Sequence, residues 1–167
     1  FVAYKNLELV IKSFDRVRQQ LGKGKLVLIG EGPDREKLVK IISNLSSAEH
    51  IVIIPKVGQD KLFEYICSSW LGVGPALTEF NPNFILECLS FGRPVLISRE
   101  NGLSVQLSEE FLFSAGNEHE LEIKLTTLFD GEFYKKAVEK VKSMNLNQTW
   151  ENVTAAHIKL VNNLISN

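Results

Sequence analysis

Apolar residues along this 167-residue chain alternate between two rhythms. Leu7, Val10, Ile11, Phe14 and Val17 recur at the spacing of one helix face, and that run ends near Leu21-Gly22. Lys25 to Ile29 is a short leucine and β-branched run of the kind a buried strand needs, stopped by Gly30-Glu31-Gly32-Pro33. Pro33 opens a second helical pattern through Leu38, Ile41, Ile42 and Leu45, and Ile51-Val52-Ile53-Ile54 is a second strand closed by Pro55. Leu62, Phe63, Ile66 and Cys67 mark a short helix, and Trp70-Leu71-Gly72-Val73 a third strand. A helix is predicted from Pro82 to Phe91-Gly92, then strands at Val95-Leu96-Ile97 and Phe111-Leu112-Phe113. From Asn117 onward the pattern is helical, with a break at residues 145–149.

Strands that are apolar throughout, each followed by an amphipathic helix, imply a parallel sheet covered on both faces. Right-handed crossovers make this a doubly wound, Rossmann-like α/β domain with three α/β/α layers, and residues 1–167 read as one such domain. Ligands bind such sheets beyond the carboxyl ends of the strands. The loops Gly30-Glu31-Gly32-Pro33, Pro55-Lys56-Val57-Gly58, Thr78 to Glu87 and Ser98-Arg99-Glu100-Asn101-Gly102 all follow strands and should share that rim. Phe1-Val2-Ala3-Tyr4 leads directly into a helix, where a doubly wound sheet would have its first strand. The expectation is a piece of a longer protein with its first strand truncated.

Bulk properties narrow the function. A formal net charge of -1, with basic residues scattered among acids, gives no nucleic-acid-binding surface. No apolar run approaches a membrane span and no signal peptide is visible, so a cytoplasmic location is expected. Cys67 and Cys88 sit singly in apolar segments and read as reduced thiols, and His50, His119 and His157 have no metal-ligand spacing.

The stretch from Thr78 to Glu87 carries the most chemistry. Glu79 and Glu87 flank a predicted helix start, with Asn81 as N-cap and Pro82 as first helical residue. A helix N-terminus offers partial positive charge and unpaired N–H groups, which suit a phosphate. One acid before the helix and another in its second turn can hold a polyol beside that phosphate. The Gly30-x-Gly32 pair lacks the rest of the dinucleotide fingerprint, so a nicotinamide cofactor does not follow.

In these residues the chain resembles the C-terminal, donor-binding half of retaining glycosyltransferases of the family-4 type, with the GT-B fold. Glu79 to Glu87 matches that family's pair of glutamates separated by seven residues, and Cys88 to Leu96 its Glu-Ala-Met-Ala-x-Gly-x-Pro-Val continuation. Val27 to Pro33 is similar to its Val-Gly-Asp-Gly-Pro turn and Tyr4-Lys5-Asn6-Leu7 to its Lys-Gly segment. Asn101-Gly102-Leu103 is similar to its Gly-Gly-Leu-Pro loop, and Trp150-Glu151-Asn152-Val153 to the start of its last helix. The chain departs from the pattern twice. Phe80-Asn81-Pro82-Asn83 replaces the glycine-containing segment after the first acid, and the arginine expected ahead of the Lys segment would fall before Phe1.

The resemblance implies a nucleotide-diphosphate sugar as donor, a glycan or lipid-linked acceptor, and no metal or other cofactor. It gives Glu87 the ribose hydroxyls, Glu79 the transferred sugar and the charge developing at its anomeric carbon, and Lys5 the diphosphate. Asn81, Pro82 and Asn83 would present the helix start to phosphate or serve only as a cap, and Lys56 and Val57 would touch the base. Gly30, Asn101 and Gly102 would border the ligand or simply make turns, and Trp150 would anchor the last helix by packing. The acceptor site, and any membrane-surface contact, would belong to an N-terminal domain of the same parent, without which this domain would be inactive. Two other readings stand beside it: a non-catalytic donor-like module in a glycan-synthesis complex, and a nucleotide-sugar epimerase of related fold.

Overall fold

A computed structural model of the chain describes residues 1–144 and residues 154, 155, 158, 159, 161 and 162. The predicted break at residues 145–149, the segment Trp150 to Val153 and His157 lie outside the described residues. After a 3-10 turn at Ala3–Lys5 the elements run α1 (Leu7–Leu21), β1 (Leu26–Ile29), α2 (Arg35–Ser43), β2 (Ile51–Ile54), α3 (Gln59–Ser68), β3 (Gly72–Gly74), α4 (Asn83–Ser90), β4 (Val95–Ser98), β5 (Leu112–Phe113), α5 (Glu118–Leu128) and α6 (Gly131–Ser143). The alternation of strand and helix is the predicted one.

The helix ends follow from their sequences. Asn6 takes a left-handed conformation (φ 52°) ahead of α1, and Gly22 does the same (φ 67°) after it, where its N–H closes on the Arg18 carbonyl at 2.8 Å. Asn117 caps α5 by accepting the Glu120 N–H at 3.0 Å, and Asp130 caps α6 by accepting those of Glu132 and Phe133. Buried in the apolar face of α1, Asp15 accepts the Ser47 N–H at 2.8 Å and the Gln19 side-chain amide at 2.7 Å, so its charge is hydrogen-bonded.

All strand pairs are parallel: β1 with β2, β3 with β4, and β4 with β5. Hydrogen bonding divides them into two sheets, β1-β2 and β3-β4-β5, and among the described residues no strand pairs with the free edge of β1 or of β3. The single sheet expected from the pattern is thus present as two pieces. Phe1–Lys5 crosses between their carboxyl ends. Phe1 packs on Gly30 and Gly32 after β1, and the Tyr4 carbonyl accepts the Leu77 N–H at 2.8 Å after β3.

The core is likewise in two clusters. Ile11, Phe14, Leu28, Leu38, Ile42 and Ile51 form the smaller, between α1, α2 and the β1-β2 pair. The larger surrounds β4, whose four residues are all buried, and takes in Ile85, Leu89, Phe111, Phe113, Leu121 and Val141. Leu26 packs against both. The third strand begins at Gly72 and not at Trp70, because the Trp70 indole is drawn to α5 and α6: it donates to the Leu128 carbonyl at 2.7 Å and stacks on Tyr134 at 3.7 Å. Similarly, Phe111 closes a 3-10 turn (Glu109–Phe111) ahead of β5.

Phe113 has no exposed surface, and its carbonyl accepts the Arg99 N–H at 2.9 Å. Phe113→Ala should cost about 3–5 kcal/mol through lost burial and the cavity left behind. Urea unfolding of both proteins measures the difference, and a loss below about 1 kcal/mol would show that the β4-β5 layer is not packed this way.

Candidate functional site

The loops that follow the strands come together at one rim, as the parallel arrangement requires. Glu79 sits beyond β3 and forms an isolated parallel bridge with Asn101 beyond β4. The Gly102 N–H donates to the Glu79 carbonyl at 2.8 Å. A side chain on Gly102 would place its Cβ 2.2 Å from the Phe80 carbonyl oxygen, so this close approach requires glycine. Asn101 itself is buried; its side-chain oxygen accepts the Leu103 N–H at 3.1 Å, and its Nδ2 has no partner among the described residues.

Lys5 closes the 3-10 turn before α1 and reaches across to Glu79, Nζ to Oε1 at 2.5 Å. Two residues placed at different parts of a ligand by the sequence reading are therefore partners here. Glu87 lies in the second turn of α4, half-buried, with no hydrogen bond or ion pair to its carboxylate among the described residues. Beside it the Cys88 thiol is pushed up to about 12, by burial first and by the Glu87 charge second.

The helix start differs from expectation by one residue. Pro82 occupies the cap and Asn83 is the first helical residue. The Pro82 carbonyl accepts the N–H groups of Ile85 and Leu86, while Asn81 turns its side-chain amide to the Asn83 side chain at 3.4 Å and does not cap. The Asn83 N–H is engaged by the Asn81 carbonyl at 3.1 Å, so it is not open to a phosphate as predicted. Lys56 and Val57 follow β2, Lys56 exposed and Val57 half-buried. Gly30 (φ 143°) and Gly32 (φ 150°) lie against Phe1, and both conformations favour glycine.

Other residues of these loops received no role from the sequence. Arg99, directly after β4, pairs with Glu109 and with Glu120 at 2.8 Å. Burial pushes the Glu120 carboxyl up, but the Ser114 N–H and Arg99 outweigh it and hold Glu120 below its ordinary value. Arg99 is thus committed to acids of its own chain. Phe80 and Val105 stand almost wholly exposed near the Glu79–Asn101 bridge, although both are large and apolar. A charged residue at a strand's carboxyl end was the available signal for Arg99; the exposure of Phe80 and Val105 had none. Among the described residues no three His, Cys, Asp or Glu side chains converge on a metal-sized space, and no helix is long and apolar enough to cross a membrane.

The arrangement bears a lysine, two carboxylates and a buried amide with a spare donor. Comparison with known proteins gives it a family. Residues 1–145 match the family described as glycosyl transferases group 1, and the chain belongs to that family. A glycosyltransferase of Methanocaldococcus jannaschii is 30% identical over 87 residues, 52% of this chain and 21% of that protein. The sulfoquinovosyl transferase of Arabidopsis thaliana is 28% identical over 130 residues, 74% of this chain and 24% of that protein. Among solved structures, the catalytic domain of cholesterol-alpha-glucosyltransferase from Helicobacter pylori superposes with a TM-score of 0.71 at 22% identity, over 89% of this chain and 94% of that one. The fold is accordingly the Rossmann-like domain of GT-B glycosyltransferases. The chain spans about a fifth to a quarter of the length of the two relatives.

Two outcomes test this geometry. Gly102→Ala must displace the Phe80 carbonyl and with it the Glu79 loop, so a loss of about 1–3 kcal/mol is expected by denaturation. Unchanged stability would mean that the two loops are not in contact. In the native protein a thiol reagent should modify exposed Cys67 and leave Cys88 unreacted until unfolding, read by mass spectrometry of the intact chain.

Proposed function

We propose that this chain is the donor-binding domain of a retaining, family-4 type glycosyltransferase, and that its rim holds a nucleotide-diphosphate sugar. The observation that carries the reading is the Lys5–Glu79 pair, beside which stands a Glu87 carboxylate in α4 with no hydrogen bond or ion pair among the described residues. A half-buried carboxylate with no partner among the described residues suits the vicinal hydroxyls of a ribose, which donate to both its oxygens. Lys5 neutralises the diphosphate and stabilises the departing nucleotide, and Glu79 accepts from the sugar hydroxyls and supports positive charge at the anomeric carbon. The Asn101 amide and the Gly102 loop border the phosphates, and Lys56 and Val57 lie at the base. In this reading the cationic charge at the leaving group comes from the protein and not from a metal.

The acceptor, a glycan or lipid-linked molecule, is bound by an N-terminal domain of the same parent, in keeping with the small share of its relatives that this chain covers. A strand between β1 and β3 would join the two sheets into one with the doubly wound order, and we assign it to the chain ahead of Phe1. The intact enzyme works in the cytoplasm, and this domain alone binds donor without turning it over.

Titration with uridine, adenosine and guanosine diphosphates, followed by NMR, tests the reading. At least one nucleotide should shift signals from Lys56, Glu87 and the Asn101–Gly102 loop. Glu87→Gln should weaken its binding about ten- to a hundredfold, the loss of charge-assisted hydrogen bonds worth about 1.5–3 kcal/mol. Silence of these signals with all three nucleotides would sink it.

A further inference from the structure

Resting on that donor-binding reading, we infer that Glu79 sets the preference for a sugar-linked over a free nucleoside diphosphate by competing with the ligand for Lys5. The observation is the direct Lys5–Glu79 pair at 2.5 Å, formed with the side chains only 36% and 21% exposed. Neither partner is on a loose segment. Lys5 ends a 3-10 turn closed by the Asn6 N–H on Ala3, and the preceding Tyr4 carbonyl is bonded to Leu77. Glu79 is fixed by its bridge to Asn101 and by the Gly102 N–H on its carbonyl. Beyond this pair Lys5 has only the Tyr4 ring, 5.5 Å away, among the described residues. The ion pair therefore engages the one cation that a diphosphate would take in the donor-binding reading.

The consequence differs for two ligands. A diphosphate that takes Lys5 leaves the Glu79 carboxylate unpaired and partly out of water, close to further negative charge. If a sugar is attached, its hydroxyls donate to Glu79 and replace the lysine, so both partners end satisfied. If the nucleotide is free, nothing replaces it. Moreover, a terminal phosphate carries more negative charge at neutral pH than one esterified on both sides. Glu79 thus penalises the spent nucleotide and not the intact donor, and re-formation of the pair helps to expel the product after transfer.

Partly exposed pairs contribute up to about 1 kcal/mol, so the competition should be worth about two- to fivefold in affinity. Calorimetric titration of the full chain with uridine, adenosine and guanosine diphosphates tests it, together with the glucose conjugate of each. Glu79→Gln should bind the free diphosphate about two- to fivefold more tightly than the natural chain, and the advantage of the conjugate should shrink. Lys5→Ala should weaken binding of the free diphosphate, and adding Glu79→Gln to Lys5→Ala should give less gain than Glu79→Gln alone, because no lysine remains to be released and only the carboxylate's repulsion of the phosphate is removed. Circular dichroism and thermal midpoints check the fold of each variant, with Glu79→Ala as a second way to remove the charge. Equal or weaker binding by both Glu79 variants, with Lys5→Ala still harmful, would overturn the competition and leave the donor-binding reading standing. Binding of no nucleotide by any of the proteins would overturn both.

Discussion

The rim depends on β4. This four-residue strand is buried at every position and hydrogen-bonded to a parallel neighbour on each side. Its end is then tied down: the Arg99 N–H goes to Phe113, the Asn101 N–H to Ser98, and the Ser98 hydroxyl to the Ala76 carbonyl on the neighbouring loop. From that fixed point Asn101 reaches Glu79, and Gly102 locks the contact by backbone approach. The position of a surface carboxylate is in this way set by an apolar strand several residues away. Groups held so have little orientation left to lose when a ligand arrives.

Charge at the rim is distributed unevenly. Arg99 is the most heavily engaged cation, between Glu109 and Glu120, with Glu120 in turn accepting from Ser114. It serves the frame. Lys5 is held by one acid, and Lys56 by none among the described residues. Of Glu79 ahead of α4 and Glu87 within it, the first is paired and the second has no partner among the described residues. The chemistry open to an incoming anion or polyol therefore falls to few groups, and the Asn101 amide adds an uncharged donor without adding to the net charge.

Much of this was legible in the chain. Ile51–Ile54 is a strand over the residues predicted, and α1 ends at Gly22 as its apolar rhythm required. Those assignments rest on periodicity and on glycine stereochemistry, which are local. The errors come from tertiary demands. Trp70 left its strand for a carbonyl and a ring on distant helices, and Asn81 gave up its capping role to pair with Asn83. Glu79, Asn101 and Gly102 could be expected to share a rim, because each lies in a loop after a strand. The Lys5–Glu79 pair was not legible, since no pattern in sequence measures a distance between residues separated by 74 positions. The pairing of Arg99 with Glu109 and Glu120 was hidden for the same reason.

The facing sides of the two sheets carry a cost of their own. β1 and β3 each keep one edge of backbone donors and acceptors unpaired among the described residues, and β3 is flanked by glycines. Such edges are templates for any extended chain of suitable direction, including another copy of the same protein. Whatever strand settles there thus acts as a guard against aggregation as well as a part of the fold. The solubility of this domain and the integrity of its ligand rim are two readouts of one backbone ladder.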